Sequence, residues 1–330
     1  MTILATPSSH LFLGLVSWYG LLIVAGALLA VYLADRESKV QGLPPDTILD
    51  LALIALPVGI LGARLYYVVF SWPMFASDPL SVLYIWEGGL AIYGGLIAGF
   101  AVVALFCRRR GISLPLMLDI LIPGVALAQA VGRWGNYFNQ EAYGTAISAE
   151  SSFAFFPIAV LIQQGADPSW HLATFFYESV LDFAIFLFLT ACRRKLFRKH
   201  GDMFLFYVIF YASGRMVIEN LRMDSLYLGS SIRISQLLSA VLCLGLIALF
   251  AYRDVHRREM SVLRWILLGL LAVSGLLILM ICLNISFPAR LSGRSETYAL
   301  LIFALLSITT SLALYGRSSP SEVCYADHKV

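Results

Sequence analysis

Apolar runs of close to twenty residues recur along the whole chain, and nothing else in the sequence limits the fold so strongly. A helix of roughly 20 residues crosses the ~30 Å hydrocarbon layer of a bilayer, and inside that layer each backbone N–H and C=O must be bonded within its own segment. The runs place nine helices, at about 11–33, 48–70, 88–107, 114–131, 172–192, 203–219, 233–252, 262–283 and 298–315. A membrane barrel would show short segments of alternating polarity instead. Only 13% of the 330 residues are charged and 60% are hydrophobic, against about a quarter charged in soluble domains. The chain therefore reads as an all-α polytopic membrane protein.

The first ten residues carry no Lys or Arg, so the first helix is expected to be a retained anchor rather than a cleaved signal. Basic residues in short loops favour the cytoplasm. With the N-terminus outside and the C-terminus cytoplasmic, sixteen of the 23 Lys and Arg fall on the inside, Arg108 to Arg110 and Arg193 to Lys195 among them. The remaining seven are Arg64, Arg133, Arg215, Arg222, Arg233, Arg290 and Arg294, with no lysine. Topology is indifferent to Arg versus Lys, whereas two-point binding of phosphate or carboxylate needs the planar guanidinium. The net charge of +3 is accounted for by the inside loops and implies no nucleic-acid partner.

The five cysteines (Cys107, Cys192, Cys243, Cys282 and Cys324) lack metal-ligand spacing and read as small apolar fillers. The histidines are scattered, with no H-E-x-x-H, so neither a metal nor a cofactor is expected.

Ionisable groups inside membrane helices are costly and by default mark a site. Here they are Arg64, Asp119, Glu178 with Asp182, and Arg215 with Glu219. The last pair is spaced i,i+4, so its members face each other and a contact is expected. Asp119 and Asp182, taken alone, read as structural glue. In "WEGGLAIYGGLIAGF", Trp86 to Phe100, small residues suit close helix packing or approach to a ligand, and Tyr93 sets a hydroxyl between the glycine pairs.

The most polar apolar-flanked stretch is "QAVGRWGNYFNQEAYG", Gln129 to Gly144. It is expected to follow the fourth helix as the chain emerges, putting Arg133, Asn136, Asn139, Gln140 and Glu141 at lipid headgroup level. "SGRMVIENLRMDSLYLG", Ser213 to Gly229, brings Arg215 and Arg222 near the same level. Guanidiniums suit phosphodiester oxygens, and amides suit glycerol hydroxyls. The mixed composition from Thr145 to Trp170 suggests an outer cap, about 140–171, whose fold the sequence leaves open; Pro157 and Pro168 argue only against one long helix.

With these residues in view, the chain resembles the prolipoprotein diacylglyceryl transferases of bacterial membranes. "GRWGNYFNQEAYG" is similar to that family's signature. "SWYGLLIVAG", "GARLYYVVF", "EGGLAIYGGLIAG", "FFYES", "GRMVIENLR" and "IRISQLLS" follow in the family's order from about residue 10 to 252. The resemblance implies a bacterial plasma-membrane enzyme that moves the diacylglyceryl group of phosphatidylglycerol to the lipobox cysteine of a preprolipoprotein, releasing glycerol phosphate. It implies Arg133 and Arg215 as the phosphate-handling pair, with Asn136, Asn139, Glu141 and Gly144 completing the donor site. Tyr19, Arg64, Glu219 and Arg222 match further family positions, which implies that they bind substrate with these residues by shaping or supporting the donor site.

Two features depart from that pattern. Tyr93 stands where many members have histidine, and a tyrosine is a poor acceptor for a thiol proton, so it is expected to hydrogen-bond substrate as part of the catalytic group. The family core usually has seven helices, giving a transferase domain over 1–255, whereas residues 256–330 add two helices and a tail. Those two read as packing or partner helices, and deletion of 260–330 is expected to spare activity in a protein that stays folded. A family member that has lost catalysis and binds lipid or lipoprotein is the alternative. A transporter would spread polar residues over several depths.

Overall fold

A computed structural model describes residues 10–11, 16–163, 167–197, 199–223, 225, 227–228, 232–255 and 294–316, with 266, 269, 272, 275 and 279 singly. It is almost wholly helical. Six helices are long and apolar enough to cross a bilayer: α1 (Trp18–Val40), α2 (Thr47–Phe70), α4 (Ile92–Arg110), α5 (Leu114–Asn139), α6 (Thr174–Cys192) and α7 (Asp202–Leu221). The short α3 (Trp72–Phe75) follows α2, and α8 (Ile234–Val255) and α9 (Arg294–Gly316) complete the described helices. Large apolar side chains such as Leu28, Leu53 and Val69 point outward, as expected where the surroundings are hydrocarbon. The chain divides into two compact units, Leu29–Gly124 and Met1–Leu28 with Val125–Val330.

In the unit Leu29–Gly124, α2 packs along α4. A Cβ added at Gly62 would lie 2.8 Å from the Gly94 carbonyl oxygen, and one at Gly94 would run into the Gly62 carbonyl and the Tyr66 side chain. Backbone meets backbone there, the use of small residues that lets membrane helices close up. A core of Ile48, Leu51, Val103, Phe106, Met117 and Ile120 fills the far end. Beyond it Arg110 at the end of α4 pairs with Asp50 on the first turn of α2 at 2.7 Å. Gly111 then ends α4 in the left-handed conformation (φ 66°) that a helix C-terminus favours.

In the other unit α7 is central, packed by α6, α8 and α9. Antiparallel strands β3 (Ala146–Ile147), β5 (Ser169–Leu172) and β4 (Ala159–Ile162) form a small sheet with β5 in the middle. This sheet is the fold of the segment whose composition left it unassigned. Two further hairpins, β1–β2 (His10–Leu11, Val16–Ser17) and β6–β7 (Tyr227–Leu228, Ile232–Arg233), precede α1 and α8.

The first helix and α5 depart most from the bounds read in the sequence. The first helix begins at Trp18 rather than about 11, because a hairpin occupies 10–17, and it continues to Val40. Polar residues at its end are accommodated by an i,i+4 pair, Lys39 Nζ to Asp35 at 2.6 Å. The fourth apolar run ends near 131, yet α5 continues to Asn139, so "GRWGNYFN" lies on a helix and not in a loop. Gly132 and Gly135 weaken a helix without ending it, and no proline intervenes. The expected helix at 262–283 lies outside the described residues except at single positions.

Candidate active site

The last turns of α5, the first of α6 and the last of α7 come to the same end of their unit, as up-and-down connectivity requires. Gln129, Arg133 and Asn136 recur along α5 at helical spacing and so share one side. Each finds a partner. Gln129 Oε1 accepts from the Tyr207 hydroxyl at 2.6 Å, Arg133 Nη2 donates to Glu178 Oε1 at 2.6 Å, and Asn136 Nδ2 donates to Glu141 Oε1 at 2.9 Å.

Glu178, near the start of α6, is the hub. Arg215 Nη1 donates to both its oxygens at 3.0 Å, Arg222 Nη1 stands 3.9 Å from Oε2, and the Tyr211 hydroxyl approaches Oε1 at 3.5 Å. Arg215 Nη2 also forms the expected i,i+4 ion pair with Glu219, at 2.7 Å. The carboxylates of Glu178 and Glu219 are 1% exposed, whereas Arg133, Arg215 and Arg222 retain 21%, 14% and 12%. Three arginines thus gather around two buried carboxylates and keep part of their side chains exposed. A guanidinium has five N–H donors, and the contacts with these carboxylates occupy only some of them on Arg133 and Arg215. Asp182, one turn further along α6, is wholly buried and makes no hydrogen bond among the described residues.

Beyond Asn139 the chain turns through Gln140 and Ala142, both in the left-handed region (φ 51° and 54°). This brings Glu141 back to accept from Asn136 and, at 3.3 Å, from Asn139. The Thr174 hydroxyl at the start of α6 holds the Ala142 carbonyl at 2.7 Å. Gly144 then pairs as an isolated bridge with Arg222 and donates its N–H to the Leu172 carbonyl at 2.7 Å. A Cβ at Gly144 would stand 2.8 Å from the Leu221 carbonyl oxygen and 2.9 Å from Thr174 Cγ2, so only glycine fits between α6 and α7. His171 fixes the Gly144 carbonyl through Nδ1 at 2.9 Å while its Nε2 meets Ser169 Oγ at 2.9 Å.

Tyr19 begins α1 with its ring against α5 at Gly135, beside Trp18, which stacks on Phe138 at 4.8 Å. The structure therefore gathers Tyr19, Arg133, Asn136, Asn139, Glu141, Gly144, Arg215, Glu219 and Arg222 in one unit. Glu178 was noticed in the sequence only as a membrane-embedded acid, and its place beneath three arginines is what the sequence reading missed. The signal was present: carboxylates in a membrane helix imply cationic partners.

Arg64 and Tyr93 belong to the unit Leu29–Gly124. Arg64 Nε donates to the Val82 carbonyl at 2.8 Å, Nη1 to Gly88 and Gly89 at 2.8 and 3.1 Å, and Nη2 to Ser81 and Tyr84 at 2.7 and 3.4 Å. Its guanidinium also lies 5.1 Å from the Phe75 ring centroid. Arg64 thus organises the turn after α3 through backbone carbonyls. Tyr93 lies in the first turn of α4, half-buried.

Comparison with known proteins gives the same answer as the signature. The family model for prolipoprotein diacylglyceryl transferase matches residues 10–252. The phosphatidylglycerol–prolipoprotein diacylglyceryl transferase of Lactobacillus gasseri is 44% identical over 257 residues, 77% of this chain and 91% of that one. The proteins of the same name from Bacillus licheniformis (44% identical over 247 residues; 74% and 91%) and Limosilactobacillus reuteri (46% over 229 residues; 68% and 82%) are also similar. A chain matched over this much of its length belongs to the prolipoprotein diacylglyceryl transferase family.

Proposed function

We propose that this chain transfers the diacylglyceryl group of phosphatidylglycerol to the lipobox cysteine thiol of a preprolipoprotein, the first step of bacterial lipoprotein maturation. The observation that carries the reading is the set of arginines held over Glu178. In the reaction the cysteine sulfur bonds to the glyceryl carbon and the C–O bond to phosphate breaks. The electron pair stays on the departing glycerol phosphate, and the thiol proton leaves with the products. Negative charge grows on the phosphate, and donors already fixed by a buried carboxylate stabilise it without reorganising.

Arg133 and Arg215 hold the phosphate. Asn136 and Asn139, oriented by Glu141, meet the glycerol hydroxyls, and Gly144 keeps the bend that brings Arg222 to the site. Glu219 orients Arg215, and Tyr19 borders the donor. Tyr93 hydrogen-bonds substrate, and Arg64 supports its own turn. The N-terminus faces outward and the C-terminus the cytoplasm; Arg108 to Arg110 at the end of α4 and Lys39 at the end of α1 support that orientation.

The test is a transfer assay with purified protein, phosphatidylglycerol and a lipobox peptide, read by mass on the peptide cysteine, with Arg133→Ala alongside. A diacylglyceryl mass gain that vanishes in the variant is expected. A folded wild-type protein that binds lipid but adds no mass would instead support the inactive-partner reading.

A further inference from the structure

The family match ends at residue 252, yet α9, at Arg294–Gly316, is docked on the helix that carries Arg215, Glu219 and Arg222. The docking is polar at both ends. At one, the Tyr315 hydroxyl donates to Asp202 Oδ2 at 2.6 Å, and its ring meets Phe206 edge-on at 5.1 Å. At the other, Asn220 Nδ2 donates to Thr297 Oγ1 at 2.8 Å. Eighteen residues of helix, about 27 Å of rise, separate the two contacts on α7. Leu300, Phe303, Ala304, Ser307 and Ser311 are buried between them.

The two ends are not equivalent. Asp202 is the first residue of α7, far from the arginines, whereas Asn220 directly follows Glu219 and precedes Arg222 by one turn's half. Its amide is engaged on both sides: the nitrogen gives to Thr297 of α9, and the oxygen accepts from Arg233 Nη1 at the end of β7, just before α8. A helix turn gripped through both atoms of one amide cannot rotate without breaking one of the two contacts. That turn sets where Glu219 and Arg222 stand relative to Glu178.

We propose that Thr297, through Asn220 and Arg233, is a positioning residue for the arginine site, and that α9 is an added brace that fixes the catalytic turn of α7. This rests on the transferase reading above. On it, truncation after α8 no longer spares turnover.

Thr297→Val and Tyr315→Phe each remove a hydroxyl that joins the same two helices, at opposite ends, so the pair separates positioning from general docking. Thr297→Val is expected to lower kcat about tenfold, within the range that small misplacement of reacting groups produces, with KM for phosphatidylglycerol changed less than about twofold. Thr297→Ser should restore kcat, and Tyr315→Phe should leave it within about twofold of wild type. Amide exchange over residues 219–222 provides a readout independent of turnover: faster in Thr297→Val and unchanged in Tyr315→Phe. Equal behaviour of the two variants in kcat and exchange, or failure of Thr297→Ser to rescue, would overturn the proposal. A wild-type protein without transfer activity would sink the transferase reading instead, while the exchange result would still decide the brace.

Discussion

Arg133 and Arg215 come from different helices and bond to the same carboxylate, Glu178, at 2.6 and 3.0 Å. Because that carboxylate is buried, its loss takes the ion-pair partner from Arg133 and leaves Arg215 with Glu219 alone. Removing one partner of a buried ion pair costs about 3–5 kcal/mol. Glu178→Gln keeps the shape and removes the charge, so transfer should fall at least about a hundredfold and the unfolding midpoint in detergent should drop. A variant with both unchanged would remove Glu178 from the site.

Arg133→Lys and Arg215→Lys separate charge from shape. Lysine can still neutralise Glu178, so the protein should remain folded. It cannot reach two oxygens with a planar fork, and losing a preorganised donor typically costs about 10²–10³ in kcat. Mass-resolved transfer rates, beside thermal unfolding, check this.

Much of this is legible in the sequence alone. The α2 span, the start of α5 and the Arg215–Glu219 pair follow directly from apolar length and i,i+4 spacing. The extension of α5 to Asn139 is not, because apolarity reports depth in a membrane and not where helical hydrogen bonding stops. The sheet of β3, β4 and β5 escaped for a different reason. Strands as short as Ala146–Ile147 are defined by their partner, His171 and Trp170, and not by their own periodicity. The role of Glu178 depended on which helix ends meet, and that is a property of packing.

Gly144→Ala probes the bend between α6 and α7. The added methyl would press on the Leu221 carbonyl, Thr174 Cγ2 and Leu172 Cβ at 2.8, 2.9 and 3.0 Å. Overpacking of this kind costs about 1–3 kcal/mol. The expected result is a lower unfolding midpoint together with reduced transfer, since the same bend pairs with Arg222.

Arg64→Lys tests the turn after α3. One ammonium cannot satisfy carbonyls at Ser81, Val82, Tyr84, Gly88 and Gly89 together. Amide exchange across 79–89 should accelerate about tenfold or more, corresponding to roughly 1.4 kcal/mol of local stability. Unchanged protection would mean that the turn holds itself.

Tyr93→Phe removes only a hydroxyl. A neutral hydrogen bond is worth about 0.5–1.5 kcal/mol, so turnover should fall between about twofold and tenfold, without the larger loss expected of a proton acceptor. Undiminished turnover would exclude the hydroxyl from the reaction.

The shared carboxylate also bears on how the protein is made. A charge on a membrane helix raises the cost of insertion, by about 2.5–3.5 kcal/mol at the helix centre and by less near an end, where Arg133, Glu178 and Arg215 lie. During synthesis α5 leaves the ribosome with Arg133, α6 supplies Glu178 45 residues later, and α7 supplies Arg215 after a further 37. Positive, negative and positive arrive in turn, so each newly emerged segment neutralises its predecessor. These three helices gain most by passing into lipid as a group, which makes assembly of the arginine cluster part of membrane integration itself.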